Sequence, residues 1–514
     1  MRLDVRRRSR LWFIAALLSL SPTSFAENPV ASAEDAFGPH RANLQHTYVQ
    51  RRPSTPPGGS TLDSVIHWNR IAIDASGLDH TPPAPGETRT FGEHLGPGRA
   101  SRAMAIVQIA VFEAMNATQG GYRSYVGLPT VHRYFSRYVS SEAAIAQAAH
   151  DTLIAMFPSQ RAILDAQLSQ SLQLVRDPFA RQAGALLGAA AARLILRKRA
   201  GDGADHAEPH LDTDFVMSDK AGWWRQDPVS QVPIAMGANW GHVRPFVMKK
   251  PHQFRVPPPP AMDSAEYTAA YEEVVRLGGD GVITPTQRTA EQTHIGTYWA
   301  YDGTPSLCAP SRMYNQIVVH IAQQMNSSAI ETARLLALVN VSLADAGIAG
   351  WESKYYYQVW RPITAIREAD EGTGPSGTGD GNPYTIGDAT FMPLGAPASN
   401  LTGPNFTPPF PAYPSGHATF GGALFQTLRR FYKTDDVAFT FVSDEYNGAT
   451  VDNTGQTRPL KPRSFASFSQ AEEENARSRI YLGIHWSFDA TEGMTQGEQI
   501  GDYVFDRVFT PVKR

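Results

Sequence analysis

From Ser101 onward the apolar residues of this chain return every three to four positions, and that spacing fixes the class of fold it can reach. Ser101–Thr118 sets Met104, Val107, Val111 and Met115 on one stripe, as in a helix with a buried face. Ser141–Phe157, with Ser141 as a candidate N-cap, and Ser159–Val175 carry the same spacing. Asp177-Pro178 then opens a long Ala-rich helix to Arg199. There Asp supplies a capping carboxylate, and Pro stands in the first turn, where its missing amide costs nothing. A second series covers Ser264–Leu277, Thr286–Tyr301, Pro310–Met325, Ser328 to about Ile366, His417–Tyr432, Phe465–Leu482 and Ala490–Val508. Strand signals are scarce, and no fixed-period repeat is visible. The expected fold is all-α, two packed helix bundles with long connecting loops.

Two stretches break the pattern. Residues 201–260 mix Asp, His, Trp and Pro without a period and end in Pro257–Pro260. Residues 370–413 are rich in Gly, Pro and Asn, and a loop of that length is unusual unless it serves a site or is partly disordered. The expected division is an N-terminal arm over 27–62, an N-terminal helical bundle with its irregular excursion over 63–260, and a C-terminal bundle over 261–514. Ahead of these, Arg2, Arg6, Arg7, Arg8 and Arg10 precede an apolar run from Leu11 to Leu20 and the small residues of Ser24-Phe25-Ala26. Residues 1–26 read as a secretory signal peptide, which predicts a secreted or periplasmic protein with no membrane span after cleavage.

Composition excludes several chemistries. Across 514 residues, 46 Lys+Arg face 49 Asp+Glu, so no basic excess marks a nucleic-acid binder. A single cysteine, Cys308, leaves no intrachain disulfide and no Cys-built zinc or iron–sulfur centre.

Three blocks carry the informative residues. The first is Lys354-Tyr-Tyr-Tyr-Gln-Val-Trp-Arg361-Pro362. If the helix runs through it, seven residues are two turns to within about 20°, and both cations share one face. A solvated pair is the ordinary reading of two such charges. Trp351, Tyr355, Tyr356, Tyr357 and Trp360 make the surroundings apolar, however, and buried cations call for an anion between them. The second block, Phe410-Pro-Ala-Tyr-Pro-Ser415-Gly416-His417, starts a helix. It is either a turn with an N-cap or a hydroxyl and free amides facing an oxyanion, with His417 placed to exchange protons. In the third, Ser478-Arg479-Ile-Tyr-Leu-Gly483-Ile-His485-Trp-Ser-Phe-Asp489, a six-residue step does not keep Arg479 and His485 on one helix face. Gly483 is therefore expected to end the helix and let both turn to a common point, while Asp489 can accept the other ring N–H of His485.

Lys-x6-Arg-Pro, Pro-Ser-Gly-His and Ser-Arg-x5-His-x3-Asp together resemble the type 2 phosphatidic acid phosphatase and vanadium haloperoxidase superfamily. The likeness to its chloroperoxidases extends to Tyr298-Trp-Ala-Tyr301-Asp302-Gly303, to Tyr314-Asn-Gln-Ile-Val and to the run from Pro408 to Gly422; it is dense over 290–432 and 474–490. The resemblance implies a vanadate cofactor, with no haem or flavin. His485 would bond vanadium, while Lys354, Arg361, Arg479, Ser415 and the Gly416 N–H would neutralise the oxygens. His417 would be the acid–base residue, with Asp302 hydrogen-bonded to it and Asp489 supporting His485. Trp351 and Phe410 match the halide-side aromatics. Hydrogen peroxide would yield a peroxovanadate that oxidises chloride or bromide, giving hypohalous acid or a halogenated organic acceptor. The same site without vanadium would be a secreted acid phosphatase in which His485 forms a phosphohistidine. A helical binding protein that had lost catalysis is the third reading, and the complete residue set argues against it. The spacing from His417 to Arg479 is intermediate between typical phosphatases and fungal-type chloroperoxidases.

Overall fold

The computed structural model describes residues 29–41 and 59–512. The expected signal peptide and most of the arm lie outside the described residues. Helices dominate, in agreement with the all-α expectation. In chain order they are α1 (Ala33–Phe37), α2 (Thr61–Asp79), α3 (Pro97–Gln119), α4 (Arg133–Ser136), α5 (Ser141–Met156), α6 (Arg161–Gln173) and α7 (Pro178–Arg199). They continue with α8 (Ala265–Leu277), α9 (Ala290–Tyr298), α10 (Ser311–Gln324), α11 (Ala329–Tyr357), α12 (Pro362–Arg367), α13 (Gly416–Tyr432), α14 (Phe468–Tyr481) and α15 (Ser487–Phe505). One two-stranded antiparallel hairpin, β1 (Phe439–Phe441) with β2 (Arg463–Phe465), pairs Phe439 with Phe465 and Phe441 with Arg463.

Two helices form the centre, one from each bundle. In α3 every residue from Gly98 to Thr118 is buried, and in α11 every residue from Thr332 to Trp351. They pack against each other, so one apolar core runs from Val65 through Met104, Leu336 and Phe420 to Phe509. By length and composition α7 and α11 are apolar enough to cross a bilayer, but the apolar window of α11 lies wholly inside this core. The second bundle closes on α13 and α15, which approach until helix backbones touch. A Cβ on Gly497 would stand 2.1 Å from the Thr419 carbonyl oxygen, and one on Gly422 2.4 Å from that of Met494. That contact brings the start of α13 against α15, where the Ser415 amide donates to the Asp489 carbonyl at 2.9 Å.

The 201–260 excursion is irregular yet strongly tied down. Asp202 pairs with Arg102 at 2.8 Å and with Arg199 at 2.6 Å. Asp345, inside α11, accepts the amides of Phe246, Val247 and Met248 at 2.6, 2.9 and 2.9 Å. Cys308 is fully buried, with Sγ 3.0 Å from Ser76 Oγ, and burial pushes its thiol up to about 12.

Three sequence expectations need correction. The sequence predicts no helix at α2, because its buried face carries His67, Asn69 and Asp79 among apolar residues and shows no clean stripe. Ser140, not Ser141, caps α5 through the Ala143 amide at 3.1 Å. The helix expected from Ser328 to about Ile366 is two helices. It stops at Tyr357 on a left-handed Gln358 (φ 47), and Arg361 (φ −81, ψ 155) is extended because the ring of Pro362 disfavours the helical conformation before it. Lys354 and Arg361 therefore do not share a helix face; a turn separates them.

Candidate active site

The sequence blocks meet in one narrow cleft between the bundles. Asp302, Trp351, Phe410, Gly416, His417, Arg479 and His485 line it. Behind that wall Lys354, Arg361, Ser415 and Asp489 are buried to 1% exposure or less.

Each cation is placed by a local break in structure. Lys354 sits in the last turn of α11 and donates to the carbonyls of Pro411 and Ala412, both at 2.9 Å, and to that of Pro414. The proline-rich stretch has few amides of its own, so the ammonium takes over its carbonyls. Arg361 spreads its guanidinium over three acceptors. Nε reaches the Phe410 carbonyl at 2.9 Å, and Nη1 the Ile484 carbonyl at 2.9 Å and His485 Nε2 at 2.9 Å. Arg479, near the end of α14, gives Nη2 to Asp302 Oδ1 at 2.5 Å. Helix α14 ends at Tyr481, and Gly483 at φ +71 turns the chain so that His485 faces the same point. A Cβ at Gly483 would lie 2.5 Å from the Gly278 carbonyl oxygen, so only glycine fits this close crossing.

The histidine tautomer follows from its partners. Arginine has donors only, so His485 Nε2 must accept, and the proton is on Nδ1, which donates to Asp489 Oδ2 at 2.7 Å. The same carboxylate oxygen takes the Trp486 amide at 3.0 Å. Burial, then Arg361 and Lys354, hold the His485 imidazole well below its usual range, so it is neutral with its lone pair on Nε2. Burial pushes Asp489 up to about 7 despite these cations, and lowers Arg361 to about 9. Lys354 is lowered by burial first and by Arg361 next.

Asp302 and His417 are both in the cleft, but they are not hydrogen-bonded to each other. His417 donates Nε2–H to the Ala300 carbonyl at 2.5 Å, while Asp302 is taken by Arg479, a charge-assisted partner that a neutral imidazole cannot match. Burial, then Arg479, keep His417 well below the ordinary histidine range. Trp351 and Phe410 face each other with ring centroids 4.9 Å apart, and Lys354 Nζ lies 5.6 and 5.2 Å from the two rings.

Unspent donors show what the site can take. Arg361 Nη2 and Arg479 Nε and Nη1 are buried without partners among the described residues. The Gly416 and His417 amides, first in α13, have no carbonyl of their own helix to bond. Converging buried donors at a helix start, backed by three cations, suit a tetrahedral oxyanion.

Several contributors carry no residue-type signal. The carbonyls of Ala300, Phe410, Pro411, Ala412 and Ile484 are backbone groups, and Met236 fixes Trp351 through its carbonyl, which accepts Trp351 Nε1 at 3.2 Å and Tyr355 OH at 2.9 Å. Phe37, Leu95 and Phe406 form the outer apolar wall.

A family model described as the VCPO second helical-bundle domain matches residues 334–514, the segment that supplies every cation of the cleft. The chain is also 39% identical over 282 residues to vanadium chloroperoxidase of Curvularia inaequalis. Over these residues the chain is similar to vanadium chloroperoxidases. That alignment covers 48% of this chain and 44% of the fungal protein, so the chain spans less than half the length of this relative. Among solved structures, the first bacterial vanadium-dependent iodoperoxidase shares the fold, with a TM-score of 0.68 at 24% identity, over 90% of this chain and 100% of that one. An apo-type bacterial vanadium-dependent chloroperoxidase matches with a TM-score of 0.59 at 17% identity, over 80% of this chain and 94% of that one. The haloperoxidase fold therefore extends over both bundles, beyond the region where sequence likeness is dense.

Proposed function

We propose that the chain is a vanadate-dependent haloperoxidase that uses hydrogen peroxide to oxidise chloride or bromide, giving hypohalous acid or a halogenated organic product. The observation that carries this reading is the set of buried, unpartnered donors on Arg361 and Arg479 beside the neutral His485, at the cleft that Trp351 and Phe410 line. The residues suit vanadate. His485 Nε2 would hold the metal, and Arg361, Arg479, Lys354, the Ser415 hydroxyl and the Gly416 amide would face its oxygens. When bound, vanadate supplies activation of peroxide toward two-electron oxidation of halide, without changing its own oxidation state.

The chain's own groups supply the rest. Net oxidation, H2O2 + X⁻ + H⁺ → HOX + H2O, consumes one proton, and His417 is the titratable group placed to deliver it. To do so it must accept a proton on Nδ1, since Nε2–H is held by Ala300. The cations would withdraw charge from bound oxygens, and Asp489 keeps the His485 proton on Nδ1 so that the lone pair sits on Nε2, which a ligand would take over from Arg361 Nη1. Trp351 and Phe410 offer a halide a desolvated wall beside the Lys354 ammonium. The aromatic at Phe410 favours chloride as well as bromide. Residues 1–26 support a secreted or periplasmic setting.

Phosphatase chemistry is the second reading, because the same tautomer puts the His485 lone pair on Nε2, where it could attack phosphorus once Arg361 Nη1 releases it. Stripping the protein with phosphate and a chelator, then assaying peroxide-dependent halogenation with and without vanadate, separates the two. Vanadate is expected to restore halogenation. Steady phosphate-ester hydrolysis with no gain on vanadate would refute the haloperoxidase reading.

A further inference from the structure

Away from the cleft, the first bundle exposes an aromatic cluster that its own packing does not use. Between α3 and α5 the chain reads His132-Arg-Tyr-Phe-Ser-Arg-Tyr138, and here Tyr134 is 63%, Phe135 62% and Tyr138 51% exposed. Phe179, in the first turn of α7, is 80% exposed. It belongs to the same surface, because the Ser140 amide donates to the Ala180 carbonyl at 2.9 Å and draws the two segments together. Single exposed aromatics are common on protein surfaces; four together mark an interaction site.

The charged side chains interleaved with the rings of the 132–138 segment, Arg133 and Arg137, are both cationic. The Arg133 guanidinium lies 5.1 Å from the Tyr134 ring and that of Arg137 4.7 Å from the Tyr138 ring, and each donates to the phenol oxygen of its neighbour. Among the described residues neither arginine pairs with a carboxylate. The acids nearest in sequence are already engaged: Asp177 accepts the Phe179 and Ala180 amides, and Glu142 accepts the Ser140 hydroxyl. A two-fold contact centred on these arginines would set Arg133 and Arg137 against their own images, a repulsive pairing. Aromatic rings interleaved with unpaired guanidiniums instead match the headgroup layer of a bilayer, where rings settle at the interface and cations reach lipid phosphates.

We propose that this patch docks the protein on an anionic phospholipid surface, with Tyr134, Phe135, Tyr138 and Phe179 in the headgroup layer and Arg133 and Arg137 on lipid phosphates. None of the six lines the active-site cleft, so the surface can be altered without touching the chemistry.

The test is co-sedimentation of the full chain with vesicles of equal parts phosphatidylglycerol and phosphatidylcholine, and with phosphatidylcholine alone. Binding is expected to the first, at least about tenfold weaker to the second, and lost at high salt. The combined Tyr134→Ser, Phe135→Ser, Tyr138→Ser variant should partition at least about tenfold less. Arg133→Gln with Arg137→Gln should lose about 25-fold, roughly fivefold per guanidinium. Thermal melts of both variants should match wild type. The N-terminal arginines are cationic themselves, so the patch variants decide the outcome. Unchanged vesicle binding in both variants overturns the proposal, as does absence of wild-type binding to anionic vesicles. A concentration-dependent dimer that the aromatic variant abolishes would overturn it in favour of a second copy.

Discussion

Replacing Arg361 by lysine keeps a positive charge and removes the geometry that uses it. In the structure Nε serves the Phe410 carbonyl, Nη1 serves both the Ile484 carbonyl and His485 Nε2, and Nη2 is left for an anion. A single ammonium at the end of a flexible stem reaches one side of this fork, not both. Two consequences follow, of different size. One buried carbonyl loses its partner, at about 1–2 kcal/mol. For a chain of this length the unfolding entropy is about 1 kcal/mol per degree, so the melting temperature falls by only about 1–2 °C. The anion loses a charge-assisted hydrogen bond of about 2–3 kcal/mol, which corresponds to vanadate binding about 30–150-fold weaker. Calorimetric titration of anion-stripped protein with orthovanadate reads this directly, and phosphate should weaken in parallel because the lost contact is to oxygen. An Arg361→Lys protein that melts like wild type and binds vanadate within about threefold of it would refute the reasoning, since the free Nη2 would then not face the ligand.

Three further outcomes are expected. Asp302→Ala leaves Arg479 buried without its carboxylate, at about 3–5 kcal/mol, so anion-free protein should melt about 3–5 °C lower. Vanadate should then raise the variant's melting temperature by more than it raises that of wild type, and equal shifts would count against Arg479 as an anion ligand. His417 and His485 are held neutral by burial and by Arg479 and Arg361. Their contribution to stability is therefore full above the ordinary histidine value of 6.5 and is lost as pH falls through it, because the unfolded chain takes up protons that the folded one refuses. Asp489, pushed up to about 7, acts in the opposite sense: its contribution is present at low pH and is lost as pH rises from the ordinary carboxyl range through about 7. Melts across this range should show a shallower acid-side loss in His417→Gln than in wild type. Asp345→Ala strands three amides of the 246–248 turn inside α11's contact, and at about 1 kcal/mol or more each this should lower the melting temperature by at least about 3 °C.

What could be read in the sequence was what side-chain type announces. The α7 start was legible because Asp177 and Pro178 both serve a first turn, and α3 because its stripe is long. Helix α2 was not, since it buries polar groups that answer each other across helices, as Asn69 does Gln108 at 2.9 Å, and so blurs its own periodicity. The three motif blocks named the side chains that gather at the cleft. They did not carry the turn between Lys354 and Arg361, although Pro362 stood in the motif as the residue that forces it. The partner of Asp302 is likewise a matter of competition in three dimensions, in which Arg479 outbids His417. Backbone carbonyls, which satisfy Lys354 and orient Arg361 and His417, have no letter in the sequence at all.

Cys308 bears on the lifetime of such a protein in peroxide. Thiols are attacked as thiolates, and burial pushes this thiol up to about 12, far above neutral pH. The sulfur is fully buried and already in contact with the Ser76 hydroxyl, so an oxidant has neither the reactive form nor a path to it. Irreversible sulfinic damage, the usual fate of a cysteine beside peroxide, has no foothold in the only thiol the chain contains. Mass spectrometry after prolonged exposure to hydrogen peroxide should find Met325, 38% exposed, oxidised well before Cys308.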